Sequence, residues 1–591
     1  CDSFSKAKVS PSTLRFPPPH VLMLGRIIAL VLVALGDSRC AWAAEFLRGV
    51  SDIRARAQQI RFLAELEDIV GSWHREAAEA SLAELSRALQ PTFAALPKNA
   101  HGAVSASAAH YAIHRLLAHR YGWQIEGLKP QNGSWASFAP ALGLGNRLPK
   151  RLLDLIEDQL TSNDFHLHEM ALLSATMKSL IAGEVAWRLH DAYMVLQRDV
   201  DHPLSENHAM ELIDTYMTMY LGGLKMTQIT RERVLRYHHS ITSKFLYWVH
   251  YRNLTRETQL EVAPGKRYFL FHDILEILEA VNEHVGRLGL DAGYCRDVES
   301  WLIRIEEANG TGRVRLRDFY ASYLDGQTLL FQQRVQYLRD QGVLDESEPS
   351  VPRVIIPNYL GMRGHCLNVS TLYSLCCIDR CEELLGFLES KIQAPSATPG
   401  EIVRLVSALP SAHVPGNRTL SGVLVEKLQE VADHHMGQVP LHGRLFAQWM
   451  HFAYPRYCPY PHVSGTTKPM TQYEWSAERG VKASLTATEM RNYIQSSREL
   501  SGAFALHGQS DAVTAPSAAM WVQEEELVDA VNWKTWMRPG IRTALSACAC
   551  LLALLSCASA IRSSSAIGAE LWRAKLAKHG FSRAAGEKFV I

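Results

Sequence analysis

The sequence predicts a mostly α-helical protein with a large folded body and one membrane-spanning helix near its carboxyl end. Apolar residues recur at helical spacing along much of the 591-residue chain, and strand signals are scarce. One uncharged apolar run, residues 543–561, is long enough as a helix to cross a bilayer core of roughly 30 Å. With 47% apolar and 20% charged residues, the chain has an ordinary globular composition. A net charge of +1 gives no indication of nucleic-acid binding.

The amino-terminal region has the layout of a secretory signal peptide. Starting from Met23, the sequence contains a basic residue, Arg26, an apolar run at 27–35 and a small-x-small site at 41–43. We therefore interpret residues 1–43 as leader and signal peptide. A fortuitous apolar run and an uncleaved anchor are the alternatives.

Residues 44–292 are predicted to form a helical amino-terminal domain. Its first helix is expected over residues 45–89, with Pro91 ending it. Further helices are predicted at 104–121, 151–161, 166–196, 205–220, 228–251 and 267–287.

Residues 293–345 contain a helix–loop–helix pattern that resembles an EF-hand over about thirty residues. The loop has a glycine at the sixth position and a valine at the eighth, as the EF-hand pattern requires. A Ca²⁺ ion would take its ligands from five positions: Glu307, Asn309, Thr311, Arg313 through its backbone carbonyl, and Asp318.

Several features of this loop favour a structural turn without metal as the alternative. The twelfth position is Asp318 rather than the usual bidentate glutamate, and Arg313, Arg315 and Arg317 add positive charge. Asn309 also begins a glycosylation sequon. We find no second loop at the paired spacing.

Residues 346–490 are predicted to form a cysteine-containing domain with helical and Pro/aromatic parts. An even number of cysteines in an oxidising compartment permits three disulfides. We expect Cys366 to pair with one of the cysteines in a single helix over residues 372–392, and the spacing does not favour zinc. The six cysteines of the body are Cys295, Cys366, Cys376, Cys377, Cys381 and Cys458.

The Pro/aromatic segment at 455–475 is too irregular for a long helix. It is expected either to strap across the helical core, pinned by a disulfide of Cys458, or to line a binding cleft. A lumenal enzyme, hydrolytic or metal-dependent, would use this cleft together with His114 or His168. That alternative requires several of five side chains to meet: His114, His168, Glu169, His451 and His462.

The carboxyl-terminal region predicts a type I membrane topology. Residues 491–542 are interpreted as a stalk, and Trp533 and Trp536 precede the apolar segment at 543–561. Residues 562–591 form a basic tail that the positive-inside rule places in the cytoplasm. A buried core helix is the alternative for the apolar segment. We expect two or three of five N-x-S/T sequons to carry glycans; they begin at Asn132, Asn253, Asn309, Asn368 and Asn417.

Several sequence blocks resemble a group of large algal and protist membrane proteins to which no reaction is assigned. They include AHYAIHRLLAHRYGWQIEGL, FHLHEMALLSATMKSLI and VPLHGRLFAQWMHFAYPRYCPYPHVSGTT. The resemblance covers most of residues 109–475. It implies that these blocks form one folded ectodomain, and it implies no catalytic residue.

The sequence thus predicts a single-pass type I membrane glycoprotein of the secretory pathway or cell surface. Its body is expected to be lumenal or extracellular and its tail cytoplasmic. We predict an interaction or structural role toward an unidentified protein partner, with Ca²⁺ bound at residues 307–318. The alternative is a membrane-anchored lumenal enzyme.

Overall fold

Helices dominate the computed structural model, as the sequence predicts. The structure describes residues 75–125, 128, 165–224, 229–307, 310–326, 331–505 and 520–528. The signal peptide, the predicted helix at 151–161, the apolar segment at 543–561 and the basic tail all lie outside these residues. Within the described ranges, no helix is both long and apolar enough to span a bilayer.

Seven α-helices and a π-helix of the described chain build the first core. The α-helices are α1 (Arg75–Ala95), α2 (Ala106–Tyr121), α3 (Leu167–Leu196), α4 (Glu206–Leu221), α5 (Arg231–Lys244), α6 (Trp248–Val262) and α7 (Phe271–His284). The π-helix, Val285–Cys295, continues α7 directly. Three short strands accompany them: β1 (Trp123–Ile125), β2 (Leu204–Ser205) and β3 (Tyr268–Phe269), of which β2 and β3 pair antiparallel.

Pro91 does not end the first helix, contrary to the prediction. It lies inside α1, which continues to Ala95. Leu89 and Ala95, on either side of the proline, are fully buried in two different cores. Their packing compensates for the hydrogen bond that proline cannot donate.

Two other helix boundaries differ from the prediction because aromatic and glycine residues reshape the chain. The helix predicted at 228–251 breaks at Phe245, whose ring stacks on that of Tyr251. The helix predicted at 267–287 starts at Phe271 and widens into the π-helix. There Gly286 lies against the Tyr121 carbonyl oxygen, where any side chain would collide.

The second core is built around two helix–loop–helix units joined by a small antiparallel sheet of order β4-β6-β5. Val314 lies opposite Val354 at the centre of this sheet, and both are fully buried. The elements are α8 (Arg296–Arg304), β4 (Arg313–Arg315), α9 (Leu316–Leu324), α10 (Val335–Asp340), β5 (Leu344–Asp345), β6 (Arg353–Ile355) and α11 (Ile356–Gly361). The EF-hand-like unit therefore packs against a second helix–loop–helix that the sequence pattern did not reveal.

The third core is formed by the carboxyl-terminal helices of the described chain. They are α12 (Cys381–Ile392), α13 (Pro399–Ala408), α14 (Gly422–His434) and α15 (Arg444–Ala453), with β8 (Ser396–Ala397) paired to β9 (Val439–Pro440). Two further helices are α16 (Gln472–Arg479) and α17 (Ala487–Ala505). Tyr493 and Ile494 of α17 pack against the second core, so the first part of the predicted stalk packs on the body. The Pro/aromatic residues 455–471 form neither helix nor strand, as predicted.

The single helix predicted over residues 372–392 is wrong. Its first part is a strand, β7 (Tyr373–Leu375), which pairs antiparallel with β1, and the helix begins only at Cys381. Pairing with a strand about 250 residues earlier in the chain overrides the local helical pattern. Cys377 and Cys381 consequently do not share a helix face.

Three disulfides connect the six cysteines of the described chain, which confirms the predicted disulfide framework. They join Cys366 to Cys376, Cys295 to Cys377, and Cys381 to Cys458. Cys366 thus pairs within the expected trio, and Cys458 pins the Pro/aromatic segment. The three cores lie within one compact unit that ends at Val528.

Candidate functional site

The carboxylate of Glu307, the first predicted calcium ligand, is already bound by two arginines. Arg315 Nε donates to one carboxylate oxygen at 2.6 Å, and Arg353 Nε donates to the other at 2.6 Å. Arg315 is in β4 and Arg353 is its partner in β6, so strand pairing brings both guanidinium groups to the loop. Two positive charges therefore occupy the place where a calcium ion would contact Glu307.

A residue outside the predicted ligand set, Glu306, holds the loop in its turn. Its side chain is 2% exposed. It accepts hydrogen bonds from the backbone N–H groups of Gly310, at 3.3 Å, and Gly312, and it forms an ion pair with Arg456. The loop is thus fixed by an internal carboxylate, which the EF-hand spacing alone does not indicate.

The other predicted ligands are held apart, because each of their side chains contacts a different residue. Thr311 Oγ1 donates to Glu306 at 3.4 Å, the Arg313 side chain binds Asp345, and Asp318 lies 3.4 Å from Arg317 at the start of α9. Asn309 lies outside the described residues. In the part of the chain that the structure describes, no three His, Cys, Asp or Glu side chains are grouped so as to hold a metal ion. Calcium binding at this loop stays a prediction.

The Glu307 ion pairs predict that acid destabilises the second core. Burial favours the neutral acid, but the hydrogen bonds from Arg353 and Arg315 outweigh it and hold the Glu307 pKa below its ordinary value of 4.5. The stabilisation is therefore complete above about pH 4.5 and is lost as pH falls through the lower, folded-state pKa. We expect Glu307→Gln to reduce stability at pH 7 by about 1–3 kcal/mol and to flatten the loss of stability below pH 4.5.

Urea unfolding of both proteins at several pH values measures this effect. Glu348→Gln is the matched control, because its carboxylate also binds Arg353 but is 53% exposed. Equal acid sensitivity of Glu307→Gln and the unmodified protein would contradict the assignment.

A cleft of about 720 Å³ lies where the three cores meet. It is lined by α2, the π-helix, α8, α11, the Pro/aromatic segment and residues 376–380, which we call the disulfide segment. From the Pro/aromatic segment come Arg456, Tyr457, Pro459, Thr467 and Lys468. The segment thus lines a cleft and is also pinned by a disulfide of Cys458, so features of both predicted alternatives are present. The Cys381–Cys458 disulfide attaches this wall to α12.

Two arginines of the cleft are neutralised by acidic neighbours. Arg115 on α2 binds Glu382 at 2.5 Å and Glu389 at 2.6 Å. Arg380 lies 3.1 Å from Glu299 and 3.8 Å from Asp291. The Arg115 pairs join α2 to α12, and the Arg380 pairs join the disulfide segment to the π-helix and α8. Together they fix the cleft walls.

Among the carboxylates of the cleft, Asp379 has the fewest hydrogen bonds and ion pairs to offset its negative charge. Its side chain is exposed to the cleft and accepts one hydrogen bond, from the Cys381 backbone N–H at 2.8 Å. Although water reaches it, surrounding protein displaces much of its solvation. This desolvation and the nearby Glu382 raise the pKa of Asp379 to about 7.

The five side chains that the enzyme hypothesis requires do not converge. His114 lines the cleft. His168 and Glu169 are in the first turn of α3, where Glu169 accepts a hydrogen bond from the His166 backbone N–H at 3.0 Å. His451 and His462 are each bound to a backbone carbonyl, of Cys458 and Gly342 respectively.

Asp379, Glu299 and Asp291 are the cleft residues that sequence reasoning missed. Isolated acidic residues carry no local signal of a site. The one available signal was the spacing of Asp291, Cys295 and Glu299, four residues apart, which predicts a shared helix face. All three do line the cleft.

Comparisons with family models, with curated proteins and with solved structures give no match to this chain.

Proposed function

We propose that this chain is a disulfide-stabilised binding protein of the secretory pathway or the cell surface. The observation that supports this most strongly is the pairing of all six cysteines in the described chain, over sequence separations of 82, 10 and 77 residues. Such disulfides persist in oxidising compartments and are rare in the cytosol. We further propose a type I anchor at residues 543–561, which leaves the body lumenal or extracellular and the basic tail cytoplasmic.

The proposed binding site is the cleft between the three cores. Its walls come from segments far apart in the chain, and buried ion pairs and disulfides hold them in place. A preformed cleft that presents polar groups is the usual form of a ligand site.

A glycan on Asn417 would locate the body on the lumenal side. Asn417 is exposed in a loop with φ +57°, so a glycan would project into solvent. We expect glycosidase treatment to increase the gel mobility of the full chain expressed in a eukaryotic cell, and Asn417→Gln to remove one step of that shift.

Protease protection of microsomes carrying the same protein tests the topology. The account predicts that the body is protected and that an epitope tag on the basic tail is removed. A body digested without detergent, together with no glycosidase shift, would contradict a lumenal location.

We also propose that residues 307–318 bind Ca²⁺ weakly, in competition with the arginines that hold Glu307. Replacing Arg353 by methionine removes one guanidinium group from the carboxylate and should raise calcium affinity at least about tenfold, because two unit charges about 4 Å apart near a protein surface interact by about 4 kcal/mol. Titration calorimetry of the full chain with calcium chloride measures this change. Arg404→Met on α13, an exposed position, is the matched control. Absence of binding to either protein at 10 mM calcium would remove the calcium proposal.

A hydrolase is the second candidate function, and the raised pKa of Asp379 is the observation that favours it. A carboxyl group with a pKa of about 7 in a cleft is suited to proton transfer at neutral pH. A panel of nitrophenyl esters, glycosides and phosphates distinguishes the two functions. Turnover by the unmodified protein that disappears in Asp379→Asn would favour the enzyme, and absence of turnover would favour the binding protein.

A further inference from the structure

Residues 520–528, which belong to the predicted stalk, lie against the body as a segment that we call the latch. The latch contributes to none of the α-helices and strands described above. One antiparallel bridge joins Leu527 to Gly443, and beside it the Arg444 backbone N–H donates to the Glu526 carbonyl oxygen at 2.9 Å. The latch is therefore held by contacts to the body rather than by structure of its own.

Two buried side chains of α15 bind the backbone of the latch. Arg444 donates from Nη2 to the Val522 carbonyl oxygen and from Nε to that of Glu524, each at 2.6 Å. Gln448 Oε1 accepts the Val522 N–H at 3.2 Å. Contacts of this kind, to successive main-chain groups of an extended segment, are those with which a groove holds a docked peptide. Such a segment can dock and leave as a unit.

Two of three consecutive glutamates in the latch differ in their surroundings. The Glu525 carboxylate accepts the Leu445 backbone N–H at 3.0 Å, in the first turn of α15, and lies 2.8 Å from His435 Nε2, just after α14. The side chain of the preceding residue, Glu524, is exposed. The charge of Glu525 therefore attaches the latch to the third core, and Glu524 offers a neighbouring charge without that contact.

The third glutamate, Glu526, binds the Pro/aromatic wall of the cleft. Its carboxylate accepts the backbone N–H of Ser464 at 3.1 Å and the hydroxyl of the same residue at 2.9 Å. At the other end of the latch, the Tyr460 hydroxyl donates to the Met520 carbonyl oxygen at 2.5 Å. Both wall residues fall within 459–467, a stretch whose two end residues line the cleft. The latch thus contacts the wall directly behind its cleft-lining positions.

The second core holds the same wall at neighbouring residues. The Tyr460 backbone N–H donates to Asn358 Oδ1 at 2.7 Å, and His462 Nε2 donates to the Gly342 carbonyl oxygen at 2.8 Å. The wall is therefore bound by the second core at residues 460 and 462 and by the latch at residues 460 and 464. Undocking of the latch would act mainly on the part around residue 464.

We propose that the latch is a reversible strap that keeps the cleft closed. When residues 520–528 leave the body, the wall around Ser464 loosens and the cleft opens on that side. The chain continues from the latch toward the proposed anchor at 543–561, so this device links the membrane-proximal part of the chain to the cleft. The inference rests on the proposed role of the cleft as a binding site, and it specifies how access to that site is controlled.

Hydrogen–deuterium exchange of the full chain tests this proposal. Glu525→Ala removes a contact to the third core but leaves the bond between Glu526 and Ser464 in place. We expect the peptide that contains Ser464 to exchange at least about tenfold faster, because loss of a hydrogen-bonded carboxylate makes undocking of the latch more frequent by such a factor. Glu525→Gln, which keeps a neutral acceptor, should give a smaller increase.

Glu524→Ala is the matched control and should leave the exchange unchanged, since that side chain is exposed. Amides of α3 in the first core should exchange at the unmodified rate in all three variants, which separates undocking of the latch from global unfolding. Unchanged exchange at Ser464 in Glu525→Ala, an equal increase in Glu524→Ala, or equally faster exchange in α3 would overturn the proposal. Disulfide mapping and glycosidase treatment test the proposed function independently of this result.

Discussion

Replacing Arg115 by alanine is expected to lower the free energy of unfolding by about 3–5 kcal/mol. The guanidinium group lies on α2 and neutralises Glu382 and Glu389 on α12, and the Glu389 side chain is 1% exposed. Without Arg115, Glu389 keeps a hydrogen bond from Thr92 and the neighbouring His442, but it loses its buried positive partner. In the unmodified protein, burial lowers the His442 pKa to about 4, so at pH 7 Arg115 rather than His442 supplies the positive charge beside Glu389.

Urea unfolding at pH 7 followed by circular dichroism measures this effect. Arg120→Ala on the same helix is the matched control. Its guanidinium is 37% exposed and pairs with the exposed Glu84, so we expect a loss of less than about 1 kcal/mol. Similar losses in the two variants would show that the Arg115 network does not hold α2 to α12.

Removing the disulfide between Cys381 and Cys458, by replacing both with serine, is expected to cost about 4.5 kcal/mol. The bond closes a loop of 77 residues, and the chain-entropy model gives that cost for a loop of this length. It also fixes the Pro/aromatic segment against α12, so one wall of the cleft would lose its covalent attachment.

The bond between Cys366 and Cys376 provides the matched control within the same chain. It closes a loop of only 10 residues, for which the same model gives about 2.7 kcal/mol. In thermal unfolding, the variant without the Cys381–Cys458 bond should therefore have a lower melting temperature than the variant without the Cys366–Cys376 bond. The reverse order would contradict the view that this bond holds the third core.

The helical content followed from the sequence, because apolar spacing is a local property of each segment. The error at residues 372–392 has a non-local cause, since β7 forms by pairing with β1. Pro91 is similar: its local signal to end a helix is overridden by the packing of Leu89 and Ala95. Tertiary contacts decided both cases.

At the candidate sites too, the sequence predicted local features but not the contacts between distant residues. The EF-hand spacing correctly located a turn between two helices, but it could not indicate that Arg353, which is 46 residues from Glu307, binds that carboxylate. The Pro/aromatic composition indicated an irregular segment and left open whether it straps across the core or lines a cleft. Asp379 and Glu299 come together only through folding, and no spacing in the sequence joins them.

Peptide mapping of the full chain under non-reducing conditions, after secretory expression, tests the central claim most directly. Because Cys376 and Cys377 are adjacent, we expect one cluster in which a single peptide holds both of them and is linked to the Cys295 and Cys366 peptides, and one pair that links Cys381 to Cys458. Recovery of these six cysteines as free thiols, or in a different pairing, would contradict a disulfide-stabilised binding body in an oxidising compartment.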